Sequence, residues 1–410
     1  MPPQSPLVDA HNDLVKDLKD PKAFEAHYVF REGGASSELA DRILMDRGHR
    51  KHILTGLRGC GRTTELLALC RALQETHIAV YISVLDDAHT ANVTYGHLLL
   101  IETVALLDRL RMPGLEKAEP KAREVAQWLV ATLPELPKAG GGGGGGGGAE
   151  PVANAVRSVR AVLKAPRARD AVAARIEEHH AALVERLDNL IKAIETASGK
   201  KVLMAVDDLD KMDTSHAAML FRDHHMEVTS PACACVLSVP YLTVISPEFR
   251  RVRGSYGYMA FQGPVQVAPS STDARGEARG LLHDIVVKRI DAAKVKGDAL
   301  ASAMEMSGGV TATLLRILSE ACIPQAGALV QPTGDYAVTI HDVDAAMGAM
   351  ATELRRTLSR EEMDALLELK AGRRKGLDPV VASLLRDGYV LEYPERQGTF
   401  VPVPLLATVL

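Results

Sequence analysis

His52–Cys70 reads HILTGLRGCGRTTELLALC. A short β-rich run ends on Gly56, Gly59 and Gly61 follow closely, and TTELLALCRALQ, from Thr63, then carries apolar residues at helical spacing. Strand, glycine turn and helix in that order make a cradle for phosphate. Backbone N–H groups close round anionic oxygens only where no Cβ obstructs them, and the helix start adds a favourable dipole. From Gly56 to Thr63 the pattern is GxxxxGRT, where a phosphate loop ordinarily reads GxxxxGK[ST]. Gly56, Gly59, Cys60, Gly61, Arg62, Thr63 and Thr64 are therefore the expected nucleotide-binding residues, with the Thr63 hydroxyl a ligand for Mg²⁺.

Arg62 is the departure. Its guanidinium keeps the positive charge and can pair with β- and γ-phosphate oxygens, often in a bidentate way. Being longer and planar, it does not reproduce the compact charge that follows a moving γ-phosphoryl group. The expectation is binding with slow hydrolysis, and Arg62 counts as a catalytic candidate as well as a binding one.

Outward from the loop the chain alternates strand and helix. IAVYISVL is a second strand, closed by Asp86 and Asp87; KVLMAVDDLDK and CACVLSVP are two more; YGYMAFQGPVQV supplies another. The order predicts an α/β fold with a parallel-sheet core. Residues 93–198 read as a helical insertion, broken by nine consecutive glycines, Gly140–Gly148, which have no side chain to bury and are expected to form a tether. At the end of KVLMAVDD, Asp207 is expected to anchor Mg²⁺ and Asp208 to polarise the attacking water; the bland alternative is a solvated strand end. LDKMD, Leu209–Asp213, has a faint likeness to a guanine-reading box, but it follows the acids directly and lacks the leading Asn or Thr. Adenine is the expected base, and ATP with Mg²⁺ the expected cofactors.

Four regions are expected: an N-terminal helical segment, 1–50; a phosphate-loop nucleotide-binding domain, 51–270; a helical lid, 271–350; and a unit at 351–410 in which helix, turn, helix and two short strands round ERQG read as a winged helix. At 410 residues, with 48 Lys+Arg against 52 Asp+Glu and a formal charge of −4, the bulk charge points to no polyanion partner. No apolar leader or membrane-length run is visible, so a cytoplasmic protein without a membrane partner is expected. The five cysteines are scattered through apolar runs and read as reduced core thiols. Paired histidines, His179–His180 and His224–His225, point apart on a helix, and Cys233-Ala-Cys235 has no second pair, so a zinc site is not expected.

GLRGCGRTTEL and LMAVDDLDK resemble the Walker motifs of P-loop ATPases of the AAA+ and STAND group, especially prokaryotic regulatory members with an origin-recognition-like layout. The resemblance covers the chain from roughly Tyr28 to its end, although the glycine-x-proline of many STAND lids is missing. It implies an ATP-driven switch with self-association and a protein effector, of the kind found in bacterial conflict, antiviral or stress-response systems. It further implies a sensor role for Ser238, a lid arginine at Arg316, and an arginine finger among Arg250, Arg251 and Arg253, for which a strand-end cap and a plain surface cluster are the competing readings. Nucleic acid is the less favoured partner: Lys370, Arg373, Arg374 and Lys375 offer phosphate contacts, but DPVVASLLRDG presents few side chains suited to base edges. A non-hydrolysing scaffold is the third reading.

Overall fold

The computed structural model describes residues 6–46, 48, 50–87, 92–136, 150–267, 272–326 and 337–410; the glycine run expected to be a tether lies outside them. Short turns of helix aside, the chain begins with α1 (Pro6–Leu14), α2 (Pro21–His27) and α3 (Ala35–Met45), then β1 (Lys51–Gly56), α4 (Arg62–Ala72) and β2 (His77–Ser83). The insertion supplies α5 (Tyr95–Arg109), α6 (Glu119–Thr132), α7 (Glu150–Leu163), α8 (Pro166–Glu178) and α9 (His180–Ser198). After it come β3 (Lys201–Asp207), β4 (Ala234–Ser238) and β5 (Met259–Gln262). The remainder is α10 (Thr272–Val287), α11 (Gly297–Met306), α12 (Thr311–Ala326), α13 (Ile340–Thr357), α14 (Arg360–Lys370), α15 (Pro379–Asp387), β6 (Val390–Glu392) and β7 (Phe400–Pro402).

Five strands form one sheet in the order β2-β3-β4-β1-β5. The β2–β3, β3–β4 and β4–β1 ladders are parallel, so the expected α/β class with a parallel-sheet core is borne out. Its central strands are buried on both faces, which is why they read as unbroken apolar runs. On β3, Val202, Met204 and Val206 belong to the core shared with the insertion helices, whereas Leu203 and Ala205 pack with Leu39 and Ile43 of α3 and Leu66 and Leu69 of α4. Lys51 is the exception on β1. Its buried Nζ donates to the carbonyls of Pro231 and, at 2.7 Å, Cys233, which satisfies a cation that the strand pattern alone would disfavour.

The chain divides into two compact units, one comprising Ala35–Thr55 and Glu65–Ala260 and holding most of the sheet and the insertion, the other Met1–Gly34, Gly56–Thr64 and Phe261–Leu410. In the second, Leu7, Ala10 and Leu14 of α1 join Leu314, Ile317, Leu318 and Ala321 of α12 and Val343, Met347 and Met350 of α13 in one core. At the carboxyl end α14 opens on a Ser359–Glu362 capping box, Asp378 caps α15 by accepting from Val380 and Val381, and β6 pairs antiparallel with β7. α3 starts at Ala35, and the buried Glu65 carboxylate accepts from the Ser36 N–H at 2.8 Å, so a residue of α4 caps its first turn. No helix among the described residues is long and apolar enough to cross a membrane.

Candidate nucleotide site

β1 runs directly into the glycine loop. All three glycines have positive φ, 151° at Gly56, 81° at Gly59 and 92° at Gly61, a half of the map that side chains avoid. Each meets different surroundings. A Cβ on Gly56 would lie 2.0 Å from the Gln262 carbonyl oxygen, and one on Gly59 would press on Ala312 and Val310 at 3.0 Å. Around Gly61 a Cβ would meet nothing within 4 Å. The first two glycines thus let the loop lie against its own protein, while the third leaves backbone bare toward open space.

The loop is held by bonds to remote parts of the chain. Leu57 N–H donates to the Gln262 carbonyl at 3.2 Å, Gln262 Nε2 donates to the Cys60 carbonyl at 2.9 Å, and Ala312 N–H donates to the Gly59 carbonyl at 3.0 Å. Gln262 escaped the sequence reading, since a strand glutamine carries no motif. Burial pushes the Cys60 thiol up to about 12, so it stays protonated, and its place in the site is as packing. Arg62 Nη1 donates back to the Gly56 carbonyl, so the guanidinium rests on its own loop. Thr63 and Thr64 sit half-buried on the first turn of α4.

At the carboxyl end of β3, Asp207 and Asp208 are both buried, not a solvated strand end. The register places Tyr81 and Ser83 of β2 opposite Ala205 and Asp207. Tyr81 donates its hydroxyl to Asp207 at 2.7 Å, and Asp207 also accepts the Asp208 N–H at 2.8 Å. Burial, with the Asp207 charge behind it, raises the Tyr81 phenol, which keeps that donor proton. Asp208 has a φ of 72°, the one positive value outside glycine among the described residues. Its carboxylate accepts from Ser83 Oγ and from Lys211 Nζ, each at 2.5 Å. The Ser238 hydroxyl accepts from the Leu209 N–H at 3.1 Å, which is the cap geometry that competed with a sensor role. Because β1, β4 and β3 run parallel, their carboxyl ends share one edge of the sheet. Tyr81, Ser83 and Lys211 were missed in the sequence because only strand register and a tight turn bring them to the acids.

The remaining candidates separate. Arg250 and Arg251 are exposed on the turn Phe249–Arg251. Arg253 instead donates to the Gly257 carbonyl at 2.8 Å. Arg316 is exposed on α12 and pairs with Glu353 of α13 at 2.7 Å. In the carboxyl-terminal basic run, Arg374 pairs with Asp378 at 2.7 Å and Glu368 at 3.0 Å. His180 and His224 pack against Tyr95, and His179 lies edge-on to Trp128. Among the described residues no group of histidine, cysteine and acids is placed to hold a metal ion.

Among solved structures, the chain is similar to Cdc6p from Pyrobaculum aerophilum over 95% of its own length and 96% of that chain, at 14% identity and a TM-score of 0.41. It is similar to the Thermotoga maritima RuvB Holliday junction branch migration motor over 89% of its length and 90% of that chain, at 12% identity and a TM-score of 0.38. No family model and no curated protein matches the sequence. Likeness at these scores assigns neither a family nor an activity to the chain.

Proposed function

We propose that the chain is an ATP-binding regulatory ATPase of slow turnover that acts as a nucleotide-dependent switch. The observation that carries this reading is Gly61, a positive-φ residue facing open space at the start of a helix that follows a parallel strand. The backbone N–H groups of Gly59–Thr64 and the Arg62 guanidinium would hold phosphate oxygens. Thr63 and Asp207 would hold Mg²⁺, whose charge would neutralise the phosphates when bound; the carboxylate and hydroxyl of these residues suit a hard cation.

Two features support slow hydrolysis. Arg62 has one of its N–H donors on the Gly56 carbonyl, a tether that holds the guanidinium to its own loop while a phosphoryl group moves. Asp208, the residue read as orienting the attacking water, already accepts from Ser83 on one oxygen and from Lys211 on the other, so that water competes with two donors for its lone pairs.

The switch reading rests on connections inside one compact unit. The Gly59 carbonyl accepts from Ala312 of α12, and the turn before α12 accepts the Tyr393 hydroxyl at the Gly308 carbonyl, 2.9 Å away. A change in loop conformation thereby reaches the lid and the segment of α14, α15, β6 and β7, which we read as a winged helix serving as an internal latch. The double pairing of Arg374 leaves fewer cations for a nucleic-acid backbone and favours the latch over a DNA reader. ATP-linked self-association, a protein effector and a place in a bacterial conflict or stress response belong to the same proposal. Calorimetric titration with ATP and GTP, with and without Mg²⁺ and read alongside mass in solution, tests it. ATP should bind, Arg62→Ala should abolish binding, and mass should rise with ATP. Absence of binding to either nucleotide removes the proposal.

A further inference from the structure

The sheet-bearing unit has a polar depression at the entering end of β1. Arg42, Asp46, Arg50, His52, Arg253 and Tyr258 are among the residues that line an open cleft of about 420 Å³. Three guanidinium groups thus share it with one carboxylate, Asp46, which pairs with Arg50 Nε at 3.2 Å. Arg42 lies over the Tyr258 ring, 4.8 Å from its centroid, and Tyr258 donates its hydroxyl to Glu38 at 2.9 Å. Arg253 is pinned through Nη1 to the Gly257 carbonyl. With Glu38 counted as well as Asp46, the neighbourhood keeps a net positive charge.

The floor is built rather than incidental. The buried His52 accepts the Tyr258 N–H through Nδ1 at 3.0 Å, and a Cβ on Gly257 would lie 2.9 Å from that same nitrogen. Burial lowers the His52 pKa, so the ring supports the floor as a neutral group and the positive charge is arginine's. Arginine forks lining one opening match phosphate oxygens in charge, and their remaining N–H donors suit phosphate geometry.

We propose that this cleft binds a phosphoanion, with Arg42, Arg50 and Arg253 as its cationic wall. The group can be carried by a polynucleotide backbone or by a free polyphosphate. This site is separate from the glycine loop, because the cleft opens where β1 begins and the loop starts where β1 ends.

Fluorescence anisotropy of the full chain with a labelled single-stranded DNA oligonucleotide, in competition with inorganic tripolyphosphate, tests the proposal. Arg42→Ala/Arg50→Ala, both exposed positions, should weaken oligonucleotide binding at least about tenfold, and the wild-type affinity should fall steeply with salt. Arg50→Glu is the second variant and should weaken it further than Arg50→Ala, with thermal midpoints recorded for all. Displacement by tripolyphosphate supports the proposal with a free anion as sufficient ligand, and binding of the oligonucleotide without displacement supports it with the polymer as source. ATP titration of the double variant should match wild type, and Arg62→Ala should keep the oligonucleotide. Loss in Arg62→Ala with retention in the double variant would put the probe on the glycine loop and overturn the cleft assignment, as would a wild type that binds neither probe.

Discussion

At Arg62 the side chain and the loop it serves are bonded to each other, which sharpens what substitution should do. Arg62→Ala removes the charge proposed to hold phosphate and should abolish ATP binding. Arg62→Lys keeps the charge in compact form and should raise phosphate release about tenfold, equivalent to about 1.4 kcal/mol of transition-state stabilisation. A wild type that already turns over faster than Arg62→Lys would make arginine the adapted residue. The glycines permit a cleaner separation of fold from ligand. Gly61→Ala has room for its Cβ, so it should cost only the left-handed backbone penalty, about 1–2 kcal/mol, while weakening ATP binding. Gly56→Ala drives a Cβ into the Gln262 carbonyl and should lose stability and binding together; equal melting points for the two variants would contradict this. Asp208→Asn should retain ATP and lower turnover, whereas Asp207→Asn should weaken the Mg²⁺-dependent part of binding, and small equal effects would remove both roles. The loop and the acids were legible because their spacing is local. Which glycine faces protein and which faces space was not, because Gln262, Val310 and Ala312 are remote in sequence.

Among the elements, α5 carries two buried titrating groups of opposite effect. Burial, followed by the Arg169 charge, holds His97 down at about 4. The unfolded imidazole binds a proton that the folded one refuses, so His97 contributes stability above the ordinary histidine range that is lost as pH falls through about 4. Burial pushes Glu102 up to about 7, opposed by the Lys51 charge. The folded carboxyl retains a proton that the unfolded one releases, so this group's contribution declines as pH rises from the usual carboxylate range toward about 7. Glu102→Gln removes the declining part. Its unfolding free energy relative to wild type, from denaturant titrations, should therefore improve from about pH 5 to about pH 7, by up to roughly 3 kcal/mol over the whole window. A flat difference would show Glu102 titrating as an ordinary carboxylate. The apolar spacing of α5 was readable in the sequence. Its polar burial was not, since a glutamate at helical spacing reads as a solvent face until the partners on β1 and α8 are known.

For the whole molecule, the sequence supports a reading as successive regions, whereas the contacts sort the chain by return visits: residues 56–64 group with Phe261–Leu410, not with the strand before them or the rest of the helix after them. Hydrophobic pattern cannot disclose this, because the tie includes hydrogen bonds on the loop backbone: Leu57 N–H donates to the Gln262 carbonyl, and the Gln262 side-chain amide and the Ala312 N–H donate to loop carbonyls. The glycine run offers an independent check on the insertion. Shortening Gly140–Gly148 to four glycines should leave ATP affinity unchanged, and a tenfold loss would give that run a role in the site. The grouping of the loop also has a consequence for how the protein opens. Amide hydrogens exchange with solvent in cooperative blocks set by their bonding partners. The Leu57 amide, bonded to Gln262, and the Ala312 amide, bonded to Gly59, should therefore exchange deuterium at one common rate. Ile53, three positions before Gly56 on β1 and bonded to Tyr258, should follow the slower clock of the sheet, so that the strand and the loop it leads into keep two times.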